Sequence, residues 1–239
     1  MILVIGEDED AILYFRTRAE ISLTRKITEG PTIYQGSLGP ENIAFAAVGP
    51  SALLAAIQVD ALIRELSPYL VVSIGGAASL NDTLKQGDIF IADRIYQHGI
   101  DYTDDGESEY GQIPGRAAFF SSSTSLNGSA ETAAYANGGR YIERGYLLSS
   151  DHSFTKKEDF EALKKRHYAS TTRLSAFDHI GGGIALACSL HECSLLTIRI
   201  IAYVAGNEEE ALRKRITTLE AMPDLGRILT SMLLNSERM

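Results

Sequence analysis

The chain of 239 residues is 45% hydrophobic and 22% charged, a composition that excludes a disordered or low-complexity protein. Its 22 basic and 31 acidic residues leave a formal net charge of −9, which disfavours nucleic acids and anionic membranes as partners. The length favours one domain over residues 1–239.

Apolar runs typical of strands alternate along the chain with segments of helical periodicity. The strand-like runs, rich in Val, Ile, Leu and Tyr, are Ile2–Ile5, Thr32–Gln35, Ile43–Val48, Leu70–Ile74, Asp88–Ala92, Tyr146–Leu148 and Leu195–Ala202. The predicted helices are Asp8–Glu20, Pro50–Leu66, Thr155–His167, Ile184–Cys193 and a C-terminal segment Glu208–Met239 that we expect to break at Pro223. Runs that are apolar on both faces indicate central strands covered by helices on each side. The sequence therefore predicts an α/β fold with Leu70–Ile74 and Leu195–Ala202 as inner strands.

We expect no leader sequence, no membrane span and no metal site. The apolar start Met1–Ile5 runs directly into acidic residues without a basic flank, and no stretch approaches the ~18 consecutive apolar residues of a span. The two cysteines, Cys188 and Cys193, are too few for a disulfide framework, and they do not converge with His191 on one helix face as metal ligands would. These features predict a cytoplasmic protein.

Four small residues, Gly75, Gly76, Ala77 and Ala78, follow the apolar run Leu70–Ile74 directly. Small residues at the carboxyl end of a strand let a ligand approach the backbone, and ligands of open α/β sheets bind at that edge. The spacing is that of neither the dinucleotide-binding motif nor a P-loop. We therefore expect a small-molecule site at this edge without a bound nucleotide cofactor.

Four segments give the chain a family resemblance. They read L-V-V-S-I-G-G-A-A-S-L at 70–80, L-K-Q-G-D-I-F-I-A-D at 84–93, E-Y-G-Q-I-P-G at 109–115 and L-S-S-D-H-S-F at 148–154. In this order they resemble the nucleoside phosphorylase and nucleosidase family, and within it the bacterial 5'-methylthioadenosine/S-adenosylhomocysteine nucleosidases, from Met1 to about Asn207. The resemblance implies a three-layer domain with a twisted mixed sheet, a homodimer, and hydrolysis of the glycosidic bond of an adenine nucleoside without metal or other cofactor.

That reaction uses three acidic residues in the family: one protonates the leaving base, one holds the ribose hydroxyls and one orients water. The resemblance puts Tyr203 at the first position, and Tyr is a poor proton donor because its pKa is ordinarily near ~10. It puts His179 and Ile180 at the ribose, and Asp10 next to the position of the water-orienting acid. The first two acids are therefore expected to be replaced, and a one-residue shift would let Asp10 keep the third role. Tyr203 is expected where the acid would meet the base, where either its hydroxyl bonds the base or its ring fills the vacated site.

The resemblance also implies a set of ligand-binding residues. Pro114 matches a residue that lines the 5'-substituent pocket from the neighbouring subunit, and residues 149–154 match the adenine-facing segment loosely. The full set is Gly76, Ala77, Pro114, Ser149, Ser150, Asp151, Phe154, Ile180 and Arg199. Asp10 and Asp178 are the only carboxylates that we expect near this pocket. Phosphorolysis is disfavoured because the first loop carries four carboxylates and no Arg precedes Gly75.

Two hypotheses about function remain open. The first is a divergent nucleosidase that uses Tyr203, His179 or Asp10 in rearranged catalytic roles. The second is a family member without catalysis that senses or sequesters a purine nucleoside-like molecule, or that only scaffolds a dimer. We favour the second, because three separate segments lack the expected acid, and we expect family substrates to be cleaved poorly or not at all.

Overall fold

A computed structural model describes residues 1–28, 30–137, 139–152 and 156–235. In these residues ten strands form one mixed sheet: β1 Ile2–Gly6, β2 Glu20–Lys26, β3 Thr32–Leu38, β4 Glu41–Ala47, β5 Leu70–Ser79, β6 Ile89–Gln97, β7 Phe120–Ser121, β8 Ile142–Ser149, β9 Leu174–Asp178 and β10 Ser194–Val204. The α-helices are α1 Glu9–Arg16, α2 Ala52–Leu66, α3 Thr124–Asn137, α4 Lys157–His167, α5 Gly181–Leu190 and α6 Glu208–Asn235. A short 3₁₀ helix spans Thr103–Asp105.

Strand β5 is the centre of the sheet. It pairs in parallel with β1 and with β10, and its last two residues pair with β9 in antiparallel orientation. The pairings of β5 with β10, β10 with β6, β6 with β8, β8 with β9 and β9 with β5 close five strands into a ring. On its other side β5 continues through β1, β4, β3 and β2 to an open edge.

Helices cover both faces of the sheet, as the apolar runs predicted. Alternate residues of β1 separate two cores: Ile2 and Val4 pack in the core with α1, α3 and α6, whereas Leu3 and Ile5 pack in the core with α2 and α5. The runs Leu70–Ile74 and Leu195–Ala202 are buried and have paired strands on both sides. The prediction of an α/β fold with these two inner strands is confirmed.

Glycine allows two helices to pack in direct contact on one face. Gly183, near the start of α5, lies so close to α2 that a Cβ would stand 2.0 Å from the carbonyl oxygen of Ala52. The Gly181 N–H donates to the Asp178 carboxylate, and the Gly182 N–H donates to the Ser149 hydroxyl at 2.8 Å. The three glycines therefore serve close helix packing and a capped helix start.

Several features of the fold differ from the prediction. The first helix ends at Arg16 rather than Glu20, and the chain enters β2, a strand that is mostly exposed and so lacks an apolar signature. Strand β9 is short and was not predicted. Helix α6 runs through Pro223 without a break. Pro costs a helix interior ~3 kcal/mol, and burial of neighbouring apolar side chains such as Leu225 and Ile228 offsets that cost. The predicted helix ends Thr155 and Met239 lie outside the described residues.

No helix in the described ranges is both long and apolar enough to cross a membrane. Within the same ranges, no three His, Cys, Asp or Glu side chains are grouped to hold a metal ion. Cys188 is buried, and the Cys193 thiol donates to the carbonyl of Pro68.

Candidate ligand-binding site

A cavity of about 220 Å³ opens where the parallel strands β1, β5 and β10 reach their carboxyl ends. One part of its wall is formed by segments 75–78 and 202–203 together with Glu7, Asp8, Asp10 and Ala11, and residues 177–179 at the end of β9 form another. Helix α6 closes the remaining side with Lys214, Arg215, Thr218 and Leu219. The small-residue run after Ile74 therefore lies at the cavity that it predicted.

Gly76 lets helix α6 lie directly on β5. A Cβ at this position would stand 2.9 Å from the Thr218 Oγ1, closer than side chains ordinarily approach. The Thr218 hydroxyl in turn donates to the carbonyl of Lys214, which fixes its rotamer. A larger residue at position 76 would push α6 outward and occupy part of the cavity.

Four carboxylates line the cavity, and three of them have hydrogen-bond partners. Asp8 caps α1 by accepting from the Ala11 N–H at 2.9 Å. Asp10 is bound by the Arg215 guanidinium, and Asp178 by the buried guanidinium of Arg199. The expectation that Asp10 and Asp178 would be the only carboxylates here is wrong, because Glu7 and Asp8 also line the cavity.

Glu7 is the fourth carboxylate, and it follows β1 immediately. It is half-buried, and no hydrogen bond to its carboxylate occurs among the described residues. Burial raises the pKa of Glu7, and the negative charges of Asp8 and Asp178 raise it further, whereas His179 and Arg199 oppose the shift. Glu7 thus places an incompletely solvated carboxyl in the cavity wall.

Tyr203 lines the cavity beside Ala78, its partner in the pairing of β10 with β5. The pairing of β10 with β5 shifts by one residue between Ile201 and Tyr203, an irregularity that redirects a side chain at a strand end. Burial raises the pKa of Tyr203, so its hydroxyl is neutral at pH 7 and can donate a hydrogen bond.

His179 follows β9 and also lines the cavity. Its Nδ1 donates to the carbonyl oxygen of Ser150 at 2.8 Å. Because a carbonyl can only accept, this bond requires a proton on Nδ1. The hydrogen bond to the backbone of Ser150, the residue after β8, therefore fixes the orientation of the His179 ring.

Other residues predicted for the site have structural roles away from the cavity. Arg199 is fully buried beneath it, and Ile180 belongs to the apolar core with α2 and α5. Ser149 caps α5, and Asp151 caps α2 by accepting from the Ala52 N–H at 2.7 Å. The Ser150 hydroxyl accepts from the His152 N–H, Pro114 is exposed, and Phe154 lies outside the described residues.

Helix α6 contributes lining residues that sequence reasoning missed. Lys214, Arg215 and Thr218 lie 10 to 14 residues beyond the end of β10. No local motif marks them. Their role follows only from the way α6 folds back across β5 and β10.

Comparison with known proteins finds a family model and curated relatives that match most of the chain. The model of the phosphorylase superfamily matches residues 1–233. A 5'-methylthioadenosine/S-adenosylhomocysteine nucleosidase of Bacillus thuringiensis subsp. konkukian is 24% identical over 207 residues, covering 87% of this chain and 87% of that protein.

Two solved structures share the fold. The nucleosidase of the same name from Neisseria meningitidis, in complex with methylthio-immucillin-A, has a TM-score of 0.88 and 24% identity, covering 97% of both chains. The futalosine hydrolase of Helicobacter pylori has a TM-score of 0.86 and 22% identity, covering 98% of this chain and 97% of that chain. The family resemblance seen in the sequence is thereby confirmed.

Proposed function

The chain belongs to the phosphorylase superfamily, and we propose that it binds a purine nucleoside or nucleoside-like molecule in the cavity at the ends of β1, β5 and β10. The relative from Bacillus is named for two adenine nucleosides, and the Neisseria structure holds methylthio-immucillin-A. A similar ligand in this chain would lie between Gly76, His179 and Tyr203.

The composition of the cavity wall carries this proposal. Apolar side chains such as Ala77, Phe177 and Leu219 offer a surface for a flat base, while Glu7 and Tyr203 offer hydrogen-bonding groups. The wall thus combines apolar surface for a flat base with polar groups that can fix its orientation, as sites for small molecules do. The acidic side chains at the strand ends make free phosphate an unsuitable co-substrate.

Calorimetric titration tests binding directly. Purified protein is titrated with 5'-methylthioadenosine, S-adenosylhomocysteine, adenosine and inosine. We expect saturable binding of at least one of the four, and we expect Gly76→Leu to abolish it because the larger side chain occupies the cavity. Absence of binding for all four at millimolar concentration contradicts the proposal.

Hydrolysis of the glycosidic bond is the second candidate function, and Glu7 is the observation that favours it. In this alternative Glu7 faces the base and not the ribose, and a carboxyl whose pKa is raised by burial holds its proton at higher pH than an ordinary Glu and can deliver it to the base. Against rapid hydrolysis, Asp10 is neutralised by Arg215 and Tyr203 is a weak acid. We therefore propose slow or absent cleavage, which chromatography of released base measures.

We further propose a cytoplasmic homodimer in which residues 1–239 form one domain. Helix α2 exposes an apolar stripe in which Leu53 is 74% and Ile57 is 69% exposed. A stripe of this kind is stabilised when a second copy covers it. Pro114 is exposed and so is available to the neighbouring subunit's pocket.

A further inference from the structure

Glu7 differs from the other carboxylates of the cavity in having its hydrogen-bonding capacity unused within the described chain. Asp8, Asp10 and Asp178 each accept from a backbone N–H or a guanidinium. Glu7 has lost part of its water shell to burial, which is the main cause of its raised pKa. A carboxylate that is partly desolvated and lacks hydrogen bonds is stabilised most by a ligand that donates hydrogen bonds to it.

We propose that Glu7 binds the ribose hydroxyls of the ligand, its carboxylate accepting hydrogen bonds from the vicinal 2' and 3' groups. This assignment rests on the proposed function. Two adjacent hydroxyls present two donors to one carboxylate, which has two acceptor oxygens. Glu7 is thereby a specificity-determining residue that selects ribonucleosides over deoxynucleosides.

The position of Glu7 supports this role. The resemblance placed the ribose contact at Ile180, but Ile180 is 2% exposed, packs in the core and has no side-chain acceptor. Glu7 lines the same cavity as His179, the residue before Ile180. The acceptor is thus supplied from the end of β1 rather than from the start of α5.

Local backbone geometry holds Glu7 at the wall. Its carbonyl accepts from the Gly49 N–H at 2.9 Å, which ties the residue to the exit of β4. On its other side, Asp8 is fixed as the N-cap of α1. The backbone of Glu7 is therefore restrained from both directions, so little ordering of the backbone is required when a ligand binds.

A double-mutant cycle between protein and ligand tests the assignment. Dissociation constants of adenosine and of 2',3'-dideoxyadenosine are measured for the wild type, Glu7→Ala, Glu7→Gln and the control Glu9→Ala. Glu9 lies in α1, pairs with Arg16 and does not line the cavity. Circular dichroism verifies folding of each variant, and chromatography verifies that the nucleosides stay intact.

We expect the wild type and Glu9→Ala to prefer adenosine by roughly 10- to 100-fold, the effect of hydrogen bonds to a charged group. Glu7→Ala should reduce the preference to below about 3-fold, and Glu7→Gln should leave an intermediate value. Binding of adenosine without a preference in the wild type, or a preference that persists in Glu7→Ala, overturns the role of Glu7 and leaves the proposed function standing. Failure of every nucleoside to bind the wild type overturns both.

If Glu7→Ala does not fold, Glu7→Gln decides the outcome, because it keeps the size of the side chain. A Glu7→Gln variant with the full wild-type preference contradicts the proposal, and one with a reduced preference supports it.

Discussion

Arg199 in β10 holds Asp178 at the end of β9 directly beneath the cavity. The guanidinium Nη2 and Nε lie 2.6 and 2.8 Å from the Asp178 Oδ2, and both side chains are almost completely buried. Arg199 also donates to the hydroxyl and the carbonyl of Ser73 in β5. One buried ion pair therefore links three strands whose ends form the wall, and Arg199 supports the site without lining it.

Breaking this pair should destabilise the protein strongly. Asp178→Asn leaves the Arg199 charge buried without its counterion, and we expect the free energy of unfolding to fall by about 3–5 kcal/mol. Urea denaturation followed by circular dichroism measures the change. Asp82→Asn, which breaks the exposed pair of Asp82 with Lys157, is the control and should change stability little. Equal effects of the two substitutions would contradict the structural role of Arg199.

Glu7→Gln should stabilise the unliganded protein at neutral pH. Burial raises the pKa of Glu7 in the folded state above its ordinary value of 4.5, so the folded protein binds the proton more tightly than the unfolded chain. The stabilisation from this proton is complete below the ordinary pKa and is lost as the pH rises through the folded pKa. The melting temperature of Glu7→Gln should therefore exceed that of the wild type at pH 8, and the two should converge at pH 4. A lower melting temperature for the variant at pH 8 would show that Glu7 is not desolvated.

Removal of the Tyr203 hydroxyl should weaken ligand binding. If the hydroxyl donates to the ligand, Tyr203→Phe raises the dissociation constant of 5'-methylthioadenosine by roughly 2- to 12-fold, the usual effect of one neutral hydrogen bond. Tyr203→Ala should weaken it further, because the ring also forms part of the wall. Tyr135→Phe on the exposed side of α3 is the matched control. An unchanged constant in Tyr203→Phe would mean that the ring only fills space.

A charge in the stripe of α2 should separate the proposed dimer. Ile57→Lys places an ammonium group where a second copy would bury an isoleucine, and we expect sedimentation equilibrium to show monomers for this variant and dimers for the wild type. Tyr135→Lys, on an exposed part of α3, should remain dimeric. A monomeric wild type, or a dimeric Ile57→Lys, would remove α2 from the interface.

Strands and helices could be predicted from the sequence where burial requires a recognisable pattern of apolar residues. Strands β5 and β10 are apolar on both faces and were found, whereas β2 is mostly exposed and has no such pattern. The continuity of α6 through Pro223 depends on packing against the sheet, which no local propensity reports.

Gly76, His179 and Tyr203 were singled out from the sequence and line the cavity, whereas their roles toward a ligand stay predictions. Gly76 lies in β5 and Tyr203 in β10, two strands that the sequence marks by apolar runs. His179 follows β9, which has no such mark, and only the family resemblance indicated it. Glu7 was missed because nothing in its own residue type distinguishes it from the other acidic residues of the run 7–10. The sequence did offer one signal for Glu7. Asp8 is a residue type that caps helices, and the residue before a cap lies outside the helix, where its side chain can face the cavity.

The structure of a complex tests the central claim most directly. Crystals grown with saturating 5'-methylthioadenosine should show the nucleoside in the cavity bounded by Gly76, His179 and Tyr203, with its ribose hydroxyls within hydrogen-bond distance of the Glu7 carboxylate. A nucleoside bound elsewhere on the protein, with this cavity unoccupied, would contradict the account.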